Sequence, residues 1–282
     1  MAAQPLSPRR LAADLATVIF GVGLLLVLAF PFFWVVLISF RPDAEIFTRT
    51  FQLLTSFTLE NYERLLDGSA FPTYLRNSIL VCSIATFLAT TIALITAYGF
   101  SRHRFFKGRQ VLLIAVITTQ LFPFVILITP LYATFFQLGL IDNPLSLVIS
   151  YTAVNLPFAI YMLLGYLDTI PRELDEAARI DGANTLQIIF RVILPVAWPG
   201  VVTVAIYAFV SAWDEFLFAM TLMTSDANKT VPVGLASFFG EYTTQWNLVM
   251  AASVVSTLPT LVLFLFLQRK LVSDLAAGSV KQ

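Results

Sequence analysis

Polar and apolar positions along the chain fall into long blocks. The short alternations of a water-soluble fold are missing. Charge-free stretches occupy residues 15–40, 77–101, 110–141, 143–167, 192–213 and 242–268. Each is long enough to cross the hydrocarbon core of a bilayer, which takes roughly 20 apolar residues in a helix. The pattern predicts an all-α, polytopic membrane protein with six transmembrane helices. The third stretch is too long for one straight span. Pro123 and Pro130 inside it, and Gly139 near its end, predict a kinked helix and then a short turn. Pro144 and Pro157 are expected to act similarly at the start and middle of the fourth. Such prolines are tolerated because neighbouring helices satisfy the freed backbone groups. Arg9 and Arg10 precede the first stretch as they would in a signal peptide. The stretch is much longer than a signal-peptide core of about 7–15 residues, so a retained first helix is expected.

The polar segments between the stretches set the orientation. One alternating set carries Arg9 and Arg10; Arg102, Arg104, Lys107 and Arg109; Arg172, Arg179 and Arg191; Arg269, Lys270 and Lys281. The other carries only Arg41, Arg49, Arg64, Arg76 and Lys229. Positive loops stay in the cytoplasm, so both termini are expected there, in a multi-pass membrane protein. The basic loop 102–109 reads as a topology anchor and a lipid-headgroup contact. Trp34 and Trp246 suit the membrane interface. Three divisions are expected: residues 1–75, a first helix with an extracytoplasmic segment; 76–268, a core transmembrane domain; and 269–282, a cytoplasmic tail.

Composition narrows the chemistry. Of 282 residues, 58% are hydrophobic and 12% charged, against about 25% charged in soluble domains. Net charge is zero, which suggests no nucleic-acid partner. The single Cys82 and single His103 leave no His/Cys metal cluster and no nucleophile–base pair at helical spacing. No Gly-x-x-x-x-Gly-Lys-Ser/Thr string occurs, so ATP chemistry is not expected here. The chain reads as a non-enzyme that binds no cofactor of its own.

Residues 168–195 are the most structured of the polar segments. Pro171 suits a first helical turn. Leu174, Ala177, Ala178 and Asp181 follow at helical spacing, and Gly182 supplies a stop. Asn184 or Thr185 can cap a second helix. Its stripe would be Leu186, Ile189, Phe190 and Ile193, with Pro195 ending it. Ala177 and Ala178 would form one flat face flanked by Glu176 and Arg179, suited to close docking with charges fixing the register.

The string EAARIDGANTLQIIFRVILP resembles the EAA loop of the inner-membrane subunits of bacterial ABC importers. Glu176, Ala177, Ala178, Gly182, Leu194 and Pro195 match that pattern, and Val192 stands where isoleucine is usual. Resemblance over roughly residues 76–268, including TVPVGLASF after Phe209, points to the maltose- and glycerol-phosphate-type carbohydrate permeases, six-helix member. Leu275, Gly278, Val280 and Lys281 match the C-terminal pattern, while Asp274, Ser279 and Gln282 depart from it. The resemblance implies a type I importer fold and a machine with a second permease subunit, the two forming a heterodimer. It also implies two ATPase subunits that use ATP and an extracytoplasmic sugar-binding protein. ATPase coupling would fall on Glu176, Ala177, Ala178, Arg179, Asp181, Gly182, Leu194 and Pro195. The outer loop 224–247, with Gly234, Phe238, Phe239 and Gly240, would reach the binding protein.

Asp214 and Glu215 are the acids embedded beside a hydrophobic stretch. With a helix starting near Pro199, Asp214 lies about 22 Å along it, in the outer half of the bilayer. Tyr207, Ser211, Asp214 and Phe218 would then share a face, with Trp213 and Glu215 beside it. Aromatic rings and carboxylates suit a polyhydroxyl solute. The stretch matching Trp213-Asp214-Glu215-Phe216 commonly reads Trp-Asn-Glu-Phe in the sugar permeases that this chain resembles. The plainer reading is that both acids mark the outer end of the span. Two alternatives remain: a permease of this superfamily for amino acids, phosphate esters or peptides, and an ion-coupled secondary transporter. The second should carry buried charged relays, which helices 1 to 4 and 6 lack.

Overall fold

The computed structural model describes residues 8–42, 45–46, 56–103, 106–240 and 244–278, with residues 8–13 and 267–278 described by backbone alone. Regular structure among them is helical, apart from an isolated antiparallel bridge between Phe239 and Thr244. The helices are α1 (Pro8–Ser39), α2 (Glu60–Asp67), α3 (Phe71–Arg102), α4 (Arg109–Thr118), α5 (Phe124–Gln137) and α6 (Pro144–Leu167). Then come α7 (Glu173–Ile180), α8 (Thr185–Gln187), α9 (Leu194–Trp213), α10 (Leu217–Leu222), α11 (Val231–Ala236) and α12 (Trp246–Gly278).

Five helical segments are long and apolar enough to cross a membrane: Asp14–Ser39, Phe71–Arg102, Pro144–Leu167, Thr185–Trp213 and Trp246–Phe266. A sixth is broken, with Arg109–Leu121 and Phe124–Gln137 meeting at 93°. The break falls at Pro123, whose extended backbone (φ −62°, ψ 121°) cannot continue the helix. Pro130, by contrast, sits inside α5 without ending it. The expected kink is therefore a sharp corner at one proline.

The chain divides into two compact units, Met1–Gly68 with Phe238–Val255, and Ser69–Ser237 with Ser256–Gln282. In the first, Asn61 is buried beside the C-terminus of α1. Its Nδ2 donates to the carbonyls of Ser39 (2.9 Å) and Arg41 (2.7 Å), satisfying acceptors that the helix end leaves open. Asn247 Nδ2 donates to Asn61 Oδ1 at 3.0 Å. Only 6% of the most apolar window of α1 is buried. A helix apolar all round and this exposed needs lipid or another subunit around it.

In the second unit, α3, α6 and α9 form the core. Ala85, Ala89, Ala93 and Ala97 make a fully buried stripe at four-residue spacing along α3. Small residues let helix backbones approach, which matters where lipid offers no hydrophobic drive for association. Ala159, Leu163 and Leu167 of α6 and Ala197 and Val204 of α9 belong to the same core. At Gly200 an added Cβ would lie 2.5 Å from the Tyr166 ring, so only glycine permits this crossing of α6 and α9. Cys82 is a buried free thiol in the packing. In the loop before α6, Asp142 (φ 58°) accepts from the backbone N–H groups of Thr224 and Ser225, both at 2.9 Å. Burial raises its pKa, but hydrogen bonds from Ser225, Thr224 and Asn228 outweigh that and hold the carboxyl at about 2. The carboxylate thereby pins the 223–228 turn to the loop before α6.

Candidate functional site

Glu173, Asp175 and Glu176 occupy the first turn of α7, where acids complement the positive end of the helix dipole. The helix has one buried and one exposed face. Asp175 and Ala178 are buried, while Glu173, Glu176, Ala177 and Ile180 are exposed, Ile180 at 87%. The flat face expected from Ala177 and Ala178 together does not form. Neighbouring helical residues point about 100° apart, so Ala178 packs inward and Ala177 outward. The outward surface is Glu176, Ala177 and Ile180, and Ile180 is the member that the sequence pattern did not single out. Among the described residues the Glu176 carboxylate has no ion-pair partner, and no local pair with Arg179 forms.

Gly182 ends the helix with φ +81°. Its N–H donates to Arg179 O (3.0 Å), and that of Ala183 donates to Ala178 O (3.0 Å), which together make a Schellman motif. Asp181 is the exposed C-cap of this turn. Asn184 caps the next helix, with a reciprocal bond between its backbone N–H and the Gln187 side chain. From there the structure departs from expectation. Residues Ile188–Ile193 form a π-helical turn, and the helix runs on through Leu194 and Pro195 into α9. In a regular α-helix the Pro195 ring would collide with the carbonyl of Arg191; a wide turn just before it relieves that clash. Pro195 therefore does not end the helix, and the span does not start at Pro199. The wide turn also shifts the buried face to Ile188, Ile189 and Ile193, leaving Leu186 and Phe190 exposed.

Beneath α7 lies a polar cluster that no local pattern along the chain foreshadows. Arg102, at the end of α3, is buried rather than at a lipid headgroup. Its Nε sits 2.9 Å from Asp175 Oδ2, with both side chains about 5% exposed. Its Nη1 donates to the carbonyls of Leu167 and Ile170, each at 3.3 Å. Tyr98 OH donates to Asp175 Oδ1 at 2.6 Å. Arg172 Nη2 donates to Ser101 O (3.1 Å), and Ser101 Oγ to Asp168 Oδ1 (2.7 Å). Removing one partner of such a buried pair costs about 3–5 kcal/mol, because the other charge is left uncompensated. Of the remaining basic loop, Arg109 donates to Phe100 O (2.9 Å), while Arg104 lies outside the described residues.

Asp214 and Glu215 part company. Helix α9 ends at Trp213, so Asp214 is its exposed C-cap and Phe218 belongs to α10. Tyr207, Ser211, Asp214 and Phe218 therefore do not share a helical face. Tyr207 packs on the Phe158 ring (4.4 Å), and the Trp213 indole N–H donates to Ser256 O (3.2 Å). Glu215 turns inward and accepts from the backbone N–H groups of Phe218 (2.8 Å) and Ala219 (3.2 Å) and from Tyr151 OH (2.9 Å). It serves as a cap for α10 and also lines a cavity of about 190 Å³ with Phe124, Tyr151, Asn155, Ser211 and Phe218. Tyr151 and Asn155, both buried on α6, were not anticipated. A larger groove of about 670 Å³ between α3, α9 and α12 is lined by Phe87, Trp198, Phe209 and Leu263, with the Thr86 and Thr90 hydroxyls unpaired in its wall. It offers no amide or charge and suits a polyhydroxyl solute less well than the smaller cavity.

The 224–247 loop is divided as well. Val231 N–H donates to Ser78 Oγ (2.8 Å), and Gly234 is buried where a Cβ would come within 2.0 Å of the Tyr74 ring. Gly234 is thus a packing position, not part of a projecting tip. Phe239 and Gly240 are exposed, Phe238 is half-buried, and Gln245 N–H closes the turn on Phe238 O at 3.1 Å. Val280 and Lys281 of the tail lie outside the described residues.

Known proteins with this sequence pattern and fold share one setting. The Escherichia coli K12 protein "Inner membrane ABC transporter permease protein YcjP" is 38% identical over 93% of this chain and 94% of its own. "Trehalose/maltose transport system permease protein MalG" of Thermococcus litoralis is 38% identical over 89% of this chain and 91% of its own. A solved bacterial ABC transporter involved in importing the acidic polysaccharide alginate has the same fold, with a TM-score of 0.79, 24% identity, and coverage of 95% of this chain and 99% of that one. Residues 89–276 match the family described as "Binding-protein-dependent transport system inner membrane component", and the chain is a member of that family.

Proposed function

We propose that this chain is one permease subunit of an ATP-binding-cassette importer that carries a carbohydrate across the inner membrane. It works beside a second permease subunit, two ATPase subunits that supply ATP hydrolysis, and an extracytoplasmic binding protein. It carries out no reaction itself and holds no cofactor. The observation that carries the coupling role is the outward face of α7. There, a Glu176 carboxylate with no ion-pair partner among the described residues and an 87% exposed Ile180 flank Ala177 on a helix whose opposite face is buried. An apolar side chain beside an unpaired charge is the make-up of a docking surface. Arg179, Asp181 and Gly182 complete that surface, and Leu194 and Pro195 pass the movement into α9.

The carbohydrate reading draws on the names of the relatives and on the cavity of Phe124, Tyr151, Asn155, Ser211, Glu215 and Phe218, which combines rings with hydroxyl, amide and carboxylate groups. The exposed Phe239–Gly240 turn faces the binding protein. On this reading residues 1–75 add a peripheral helix, 76–268 form the translocating core and 269–282 form a tail. Both termini are cytoplasmic. Isolation of the intact complex from its native membrane, with mass identification of the proteins and the bound solute, tests the proposal. ATPase subunits, a second permease and a sugar are expected. A complex holding an amino acid or peptide would overturn the carbohydrate reading, and one without an ATPase would overturn the importer reading.

A further inference from the structure

A helix of eight residues does not hold itself together in water, where isolated helices shorter than about 12–15 residues are marginal. What orients α7 must come from beneath it. Apolar packing through Ala178 is non-directional and tolerates sliding. The polar cluster does not. Arg102 has a rigid, planar fork of donors, and here the fork reaches three elements at once: its own α3, the carbonyls of Leu167 and Ile170 at the end of α6, and Asp175 on α7. Asp175 Oδ1 accepts from Tyr98, while Oδ2 faces Arg102 Nε at 2.9 Å as a close charge contact without the alignment of a hydrogen bond. Arg172, the residue before α7, reaches back to Ser101 O on α3. The face opposite the docking surface is therefore tied to α3 by the Tyr98 and Arg172 hydrogen bonds and by the Arg102–Asp175 charge contact.

We propose that the buried Arg102–Asp175 pair, with Tyr98, is a mechanical lock. It makes α7 move as one rigid body with the cytoplasmic ends of α3 and α6, so that movement of a docked ATPase reaches those spans directly and not only through the chain into α9. Asp175 and Arg102 are positioning residues: they touch neither the docked ATPase nor the solute. The inference rests on the docking role proposed for α7. Its physical basis is that energetic coupling between distant sites requires an element with a defined arrangement that both sites bias. A pair that only added stability would lower the amount of complex without changing how the assembled complex works.

The test uses the complete complex in lipid, in a Cys82→Ala background, with spin labels on cysteines at Leu174 of α7, which lies outside the docking surface, and Ile95 of α3. Both positions are exposed. Distances between the labels are measured without nucleotide and with ATP plus vanadate, and hydrolysis is measured with and without binding protein. With the pair intact, one narrow distance distribution is expected in both states. Asp175→Asn should keep the ATPase bound and broaden the distribution. It should also cut stimulation by the binding protein about tenfold, within the usual range of coupling between sites. Tyr98→Phe, which removes a single hydroxyl, should act in the same direction by about twofold, in keeping with one hydrogen bond of modest net worth; it decides the matter if Asp175→Asn does not assemble. Unchanged distances and stimulation in assembled variants would overturn the lock. Loss of the ATPase from Asp175→Asn, with Tyr98→Phe normal, would also overturn it. Failure of the docking reading is separate: Glu176→Lys would then retain the ATPase whatever the lock variants do.

Discussion

At the residue scale, backbone chemistry was legible and side-chain partnership was not. Gly182 could be placed because a glycine after a helical run is the commonest way to enter the left-handed region, and its φ of +81° follows. Asn184 could be placed because its side chain bonds locally. Asp175 could not: its partners, Tyr98 and Arg102, lie more than seventy positions away, as in Tyr98 to Asp175 (|i−j| = 77). Ile180 was passed over because a lone exposed isoleucine carries no periodic signal. Gly182→Val should strain the turn by about 1–2 kcal/mol or more, since a β-branched residue has little access to that conformation. Nothing lies within 4 Å of the added Cβ position, so the strain is conformational and not steric. Insertion into the membrane should be unaffected and ATPase co-purification reduced. A variant that binds the ATPase normally would mean the turn does not set the docking surface.

At the element scale, the apolar blocks located the spans because a bilayer leaves few alternatives to a helix about 20 residues long. The details that failed are the ones prolines decide. Pro123 breaks its helix by 93°, whereas Pro130, Pro157, Pro195 and Pro199 are accommodated within theirs. Sequence alone does not say which neighbour will relieve a proline; at Pro195 it is the wide turn of Ile188–Ile193. That turn also invalidated the stripe of Leu186 and Phe190, which assumed regular spacing. In the 224–247 loop, the buried Val231–Ala236 helix and the exposed turn at Phe239 have different roles. Removal of residues 237–241, of which Glu241 lies outside the described residues, should leave assembly and basal hydrolysis intact. It should reduce stimulation by solute-loaded binding protein. Undiminished stimulation would make the loop a packed cap alone. Gly234→Leu should instead impair folding, because the side chain has to displace Tyr74.

At the scale of the whole molecule, the orientation and the docking claim can be tested together. In a Cys82→Ala background, a cysteine at the exposed Ala227 should react with an impermeant reagent from outside, and one at Thr185 should not. External labelling of Thr185 would contradict a cytoplasmic α7. The central claim is that α7 couples this chain to an ATPase, and the most direct measurement is on Glu176. Truncating one partner of an interfacial charge pair costs roughly 2–5 kcal/mol, about a 30- to several-thousandfold loss in association. Charge reversal adds repulsion. A role confined to helix support would cost only about 0.2–0.5 kcal/mol. Co-purified ATPase and carbohydrate uptake should be compared for wild type, Glu176→Ala and Glu176→Lys at matched membrane levels. Losses are expected in that order, with uptake abolished in Glu176→Lys and restored by an acidic substitution in the ATPase cleft. Near-normal uptake in Glu176→Lys would contradict it.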